Sequence, residues 1–204
     1  MNLQTIKTAI DSICKVMEEN KDYLIQLDQQ NGDGDLGISM CDGFNGVRDY
    51  LASCEETDLG KILMKSGSAF NEHAPSSLGT ILSFCFMGMA KALKGKTEAT
   101  FEDFAGAFMA GIEKIMERAG SKPGEKTVLD ALYPAAEAYK ANAADPKAAL
   151  KAAADAAEAG SENTKTMRAV HGRAAYYGEK SIGMLDGGSV AGKLIIRGIC
   201  LAFC

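Results

Sequence analysis

Three carboxylates, Asp28, Asp33 and Asp35, fall within eight residues of the stretch LDQQNGDGDLGISM. Acids that close together repel one another unless water or a cation neutralises them. Hard oxygen donors suit Mg²⁺, which takes one or two protein carboxylates and completes its shell with water and phosphate oxygens. A solvated acidic turn satisfies the same spacing. An EF-hand does not: with Asn31, Asp33 and Asp35 as the first ligands, Leu36 stands where glycine is required and Asp42 where glutamate is. The stretch also contains Gly32-x-Gly34-x-x-Gly37, formally a dinucleotide fingerprint, but no strand precedes it.

Three further glycine-rich stretches carry polar groups. In His73–Thr80, Ser76 and Ser77 precede the apolar run Leu78–Met89. Hydroxyls and unpaired N–H groups at a helix start can grip a phosphate, or Ser76 can simply cap the helix. Ala119–Thr127 is a near miss for a phosphate loop, with Lys126-Thr127 present but Glu125 in the place of glycine. Thr127 and Asp130 therefore read as a helix start, while Gly120 and Gly124 let backbone approach a flat ligand closely. Tyr177–Gly188, with Arg173 just ahead of it, ends in Asp186-Gly187-Gly188. Arg173 offers a fork for phosphate or carboxylate, or is a surface residue, and Asp186 suits a sharp turn or a helix cap. His73 and His171 are the only histidines, and neither has a motif-level Ser or Cys partner, so covalent hydrolase chemistry has no support.

The elements that must position these groups are helical. Leu3, Ile6, Ile10, Ile13 and Met17 form one stripe, and Leu59, Ile62, Leu63 and Phe70 form another. Phe101, Phe104, Ala105, Phe108, Ile112 and Ile115 form a third, opened by Thr100 and Asp103 as a capping box. Asp145-Pro146 starts the alanine-rich helix, which is expected to end at Gly160, with Ser161 capping the next. Tyr23–Leu27 is too short to classify. No segment alternates with a period of two, so the pattern predicts an all-α fold of about eight helices in a single domain over 1–204. Its loops at helix ends are where backbone N–H groups are free for anions.

Composition narrows the function. Against 22 Lys+Arg stand 27 Asp+Glu, a formal net charge of -5. That balance disfavours nucleic-acid binding. The six cysteines form no CxxC pair and read as free, mostly buried thiols of a reducing cytosol. The amino terminus alternates charged with apolar residues and lacks a signal-peptide core. The longest uncharged run, Ala74 to Ala90, is shorter than the ~20 apolar residues of a membrane span. A soluble, cytoplasmic protein with no membrane or nucleic-acid partner is expected.

Taken in order, GDGD in the first stretch, GEKTVLDALYPA in the third and GRAAYYGEKSIGMLDGG in the last resemble the nucleotide-binding L subunit of dihydroxyacetone kinases. The resemblance covers almost the whole chain. It implies a barrel of eight antiparallel helices that binds ADP or ATP with two Mg²⁺ ions at one end. On this resemblance Asp28, Asp33 and Asp35 hold the metals. Leu36, Gly37, Ile38 and Ser39 lie beside the phosphates, as do Ser76 and Ser77. Gly120 and Val128 line the adenine side, and Arg173, with Asp186, Gly187 and Gly188, closes the remaining contacts. The substrate, a small hydroxyketone, is expected on a separate K subunit that tethers it through a histidine of its own, so no catalytic residue is assigned in this chain. The phosphoryl donor is either exchanging ATP or a retained ADP rephosphorylated by a phosphotransferase-system protein. The chain departs from the family wording at Leu36, where histidine is usual, at Leu78, where glycine is common, at Val128, where methionine is, and in Asp186–Gly188. Alternatives are a nucleotide-bound regulatory or adaptor module without phosphoryl transfer, and a metal-dependent phosphatase using the same acids.

Overall fold

The computed structural model describes residues 1–30 and 32–204. Asn31, the first residue of the acidic loop, lies outside the described residues. Among these residues the chain forms nine α-helices and no strand: α1 (Leu3–Glu19), α2 (Lys21–Asp28), α3 (Leu36–Ala52), α4 (Leu59–His73), α5 (Ser77–Ala92), α6 (Phe101–Ala119), α7 (Leu129–Ala141), α8 (Pro146–Asn163) and α9 (Gly187–Phe203). Two 3-10 segments, Thr164–Thr166 and Arg173–Ser181, lie between α8 and α9.

The expected start signals set these helices. Thr100 and Asp103 form the reciprocal capping box of α6, and Asp145 accepts from Lys147 and Ala148 ahead of Pro146. Ser76 and Asp186 cap α5 and α9. Tyr23–Leu27, unclassified from sequence, lies within α2, separated from α1 by Asn20. The expected end of α8 at Gly160 is wrong, because α8 runs on to Asn163. Gly160 is there for packing: a Cβ on it would sit 2.0 Å from the Asp130 carbonyl oxygen of α7. Pro134 has no N–H to offer that carbonyl one turn ahead, and α8 closes on it. Ser161 is likewise inside α8 and bonds Ser189 of α9 at 3.0 Å instead of capping a new helix.

Neighbouring helices close into a ring. α1 packs on α3, then each helix packs on the next through α4, α5, α6, α7, α8 and α9, and α9 returns to α1. α2 stands beside this ring, against α3 and α9. Contacts between ends show that direction alternates around it. The starts of α1 and α6 meet where the Met1 ammonium donates to the Ala99 carbonyl at 2.6 Å. The start of α4 meets the end of α5 through Asp58 and the Gly95 N–H, at 3.0 Å. The starts of α3, α5 and α9 gather at the opposite end around one cleft, which Lys126, just ahead of α7, also lines. One continuous apolar core fills the ring, with Met17, Leu24, Met40, Ile62, Phe70, Ile112 and Leu129 fully buried. Within it an apolar cavity of about 170 Å³ is lined by side chains such as Ile6, Phe44, Leu82, Phe108 and Ile195.

Candidate functional site

The cleft at the gathered helix starts has a volume of about 1080 Å³. Asp28 ends α2, and Asp33 and Asp35 sit on the loop that leads into α3. One carboxylate oxygen from each lies within 4.8 Å of the other two. The loop is shaped by its own acid: Asp28 Oδ2 accepts the N–H of Gly34 at 2.8 Å and of Asp35 at 3.1 Å. That pairing aims the remaining oxygens at common space. Desolvation, followed by the charges of Asp33 and Asp28, raises the Asp35 carboxyl above the ordinary range. Three hard oxygen donors under mutual repulsion fit a divalent cation of the Mg²⁺ type. A cation already leans on them: Arg173 Nη2 lies 2.6 Å from Asp33 Oδ2, bridging 140 positions of sequence.

Backbone donors stand at the three helix starts that border the cleft. The N–H groups of Leu36, Gly37, Ile38, Ser77, Leu78, Gly187 and Gly188 occupy the first turns of α3, α5 and α9 and take no acceptor among the described residues. Such turns carry about half a positive charge each and bind phosphate oxygens. Ser39 Oγ and Ser76 Oγ are 2.8 Å apart, tying the start of α3 to that of α5.

Of the residues singled out from sequence, Asp28, Asp33, Asp35, Leu36, Ser76, Ser77, Arg173, Asp186, Gly187 and Gly188 line the cleft. Gly37, Ile38, Ser39, Gly120 and Val128 do not. Gly37 is buried at the α2 crossing, where a Cβ would meet the Lys21 carbonyl oxygen at 2.2 Å. Ile38 is exposed. Gly120 ends α6 in the left-handed conformation, φ 65°. Val128 is buried at the start of α7, its N atom 3.4 Å from where a Gly188 Cβ would be.

Sequence reasoning missed Lys126, His171, Asn71, Thr80 and Tyr176, which also line the cleft. His171 Nε2 is 2.7 Å from Glu125 Oε2, and this contact is the main reason that the Glu125 carboxyl is held low. Asp130 accepts from Gly124 at 2.6 Å and Thr127 at 2.7 Å, fixing the turn before α7. Asp186 accepts from the Ser189 N–H at 2.6 Å, yet burial pushes its carboxyl up to about 7. Lys126 is almost wholly buried, which lowers its ammonium pKa against the pull of Asp186 and Asp130.

Known proteins identify the family. The model of the DAK2 domain matches residues 30–201. The ADP-binding subunit DhaL of the PEP-dependent dihydroxyacetone kinase of Escherichia coli is 30% identical over 190 residues, covering 92% of this chain and 90% of that subunit. An ADP-binding subunit DhaL of Listeria innocua is 32% identical over 186 residues, covering 89% of this chain and 86% of its own. The triokinase/FMN cyclase of Mus musculus is 30% identical, but this chain spans only 33% of it. In fold, the chain is similar to a C. freundii dihydroxyacetone kinase solved with AMP-PNP and Mg²⁺. The TM-score is 0.76 and the identity 22%, over 96% of this chain and 33% of that one. Among the described residues no helix is long and apolar enough to cross a membrane. An all-helical chain with an acid-lined cleft and these relatives belongs to the DAK2 domain family.

Proposed function

We propose that this chain, as a single domain over 1–204, is the nucleotide- and magnesium-binding subunit of a dihydroxyacetone-type kinase. It delivers a phosphoryl group from ATP, or from a retained and rephosphorylated ADP, to a small hydroxyketone held by a separate K subunit. The observation that carries this reading is the meeting of three carboxylates with three helix starts in one cleft. Asp28, Asp33 and Asp35 would hold two Mg²⁺, which when bound neutralise charge on the transferring phosphoryl group. The chain's own part is positional. First-turn N–H groups of α3, α5 and α9 grip phosphate oxygens, Ser76 and Ser77 add hydroxyls, and Arg173 supplies a planar fork. Gly187 and Gly188 let the α9 start approach the ligand closely. The attacking hydroxyl comes from the partner, so transfer needs the docked complex. A soluble, cytoplasmic setting fits these roles, with a phosphotransferase-system protein as the donor if ADP is retained.

The test mixes the purified chain with a K-type subunit, Mg-ATP and dihydroxyacetone, and repeats it with a phosphotransferase-system donor. Phosphorylated ketose is expected in one arm. No transfer with any donor or ketose overturns the kinase reading. A second reading, a nucleotide-bound regulatory or adaptor module, draws on Leu36 and Leu78, which put apolar side chains on the cleft wall. It predicts Mg-ADP binding without transfer in the same assay. Mass spectrometry of the native protein separates the donor modes, since retained ADP marks the rephosphorylated one.

A further inference from the structure

We infer that Lys126 is a positioning residue that holds the Arg173 arm over the metal acids. The inference rests on the cleft being the nucleotide site. Lys126 sits at φ 61°, the one non-glycine residue with positive φ among the described residues. Glycine would adopt that backbone without strain, so the side chain is what the position needs. Its relative exposure is 2%, yet the ammonium touches no carboxylate. Nζ instead donates to the carbonyls of Thr164 at 2.7 Å, Ser181 at 2.8 Å and Met184 at 2.5 Å. Those three bonds match its three protons, and the Met167 carbonyl shares them at 3.3 Å.

All four carbonyls belong to the segment between α8 and α9. Thr164 and Met167 open it, and Ser181 and Met184 close it. Lys126 therefore staples both ends of a stretch that holds no α-helix, and the 3-10 segment in its middle begins with Arg173, which meets Asp33. The neighbouring Glu125 grips the outside of the same stretch, through the Val170 N–H at 3.3 Å and His171 at 2.7 Å. Asp186 starts α9 two residues beyond the last stapled carbonyl, and its N–H donates to Thr164 Oγ1 at 3.1 Å. One cation thus sets the span of the arm and the start of the α9 cap together.

Calorimetry of Mg-ADP binding to the full chain tests this with K126M, R173A and the double variant. R173A removes the fork, and an about tenfold loss of affinity is expected. K126M leaves Arg173 in place but releases its arm, so a similar loss is expected. The double variant should bind no more weakly than the weaker single one, because both act through one contact. Wild-type affinity in K126M, or losses that multiply, overturns the assignment; multiplied losses mean that Lys126 reaches phosphate itself. Should K126M not fold, K126R carries the same test, since a guanidinium cannot centre on four carbonyls. Several-fold weaker binding, not compounded by R173A, is then expected, and unchanged affinity refutes it. Hydrogen exchange without ligand separates the two readings. Faster exchange in K126M confined to 165–184, with no ADP bound by the wild type, keeps the staple and removes the nucleotide site. Unchanged exchange there removes the staple.

Discussion

Asp35→Asn should make the metal-free chain more stable while removing its response to Mg-ADP. Asp35 shares a 4.8 Å cluster with Asp28 and Asp33. Two unit charges at that distance repel by about 0.9 kcal/mol in water and about 3.5 kcal/mol at an effective dielectric of 20. Asp33 and Asp35 are solvent-exposed, so the lower figure applies, and two pairs give about 2 kcal/mol. Against this stand the attraction of Arg173 and the favourable place of an anion at the start of α3, together about 1 kcal/mol. The net gain is about 1 kcal/mol, or roughly 2–4 °C in Tm for a chain of this length. The raised carboxyl pKa of Asp35 requires the same sign, since a group held up in the folded state destabilises it on ionising. Ligand at about a hundred times its Kd stabilises by about 2.7 kcal/mol, and a hundredfold loss of affinity cuts that to about 0.4 kcal/mol. Thermal melts with and without Mg-ADP read both effects. A lower metal-free Tm in D35N, or an undiminished Mg-ADP shift, refutes the reasoning.

Three other outcomes follow from the same geometry. Arg173→Ala should change Tm by less than the equivalent of about 1 kcal/mol, because the Arg173–Asp33 pair is exposed. Its cost appears in binding instead, and direct Mn²⁺ titration without nucleotide should show equal or tighter metal binding once the competing guanidinium is gone. Asp186 is held up to about 7, so the folded chain binds that proton more tightly than the unfolded one. Metal-free stability should fall as pH rises from about 4 through 7 relative to Asp186→Asn, a gap read by melts at several pH values. Gly37→Ala should cost about 1–3 kcal/mol by driving a methyl into the Lys21 carbonyl, lowering Tm and shifting the start of α3 away from the phosphates. Denaturant unfolding and Mg-ADP calorimetry check the two halves.

Much of the fold is legible where the signal is local. The α6 capping box and the Asp145-Pro146 start act within one turn, and the structure has both. Gly160 misleads because its reason is a crossing with α7, which no window of sequence around it contains. The acids of the first loop announce themselves by spacing, whereas the cation that meets them is 140 residues away. Lys126 was visible as half of a failed phosphate-loop motif. Its bonds go to backbone carbonyls, which carry no residue identity, so composition cannot point to them. The histidine with a carboxylate partner, His171, is paired across 46 positions and shows the same limit.

A ring of alternating helices gives both of its rims the same number of helix starts, and so the same positive potential. What makes the rims unequal is who consumes it. On the rim away from the cleft, Asn2, Asp58, Thr100 and Asp145 each turn a side-chain oxygen onto the first-turn N–H groups of α1, α4, α6 and α8. Asp58 and Asp145 each take two N–H groups there, and Asn2 and Thr100 take one each. At the cleft, α3 has no side-chain cap and its acid is turned toward metal space, while Ser76 and Asp186 each satisfy one N–H and leave the rest of the turn free. The difference between the two rims therefore lies in how their first turns are capped rather than in the architecture. The N-cap position of α3 is Asp35 itself, so that one carboxylate either caps its helix or faces the metal space, and here it does not cap.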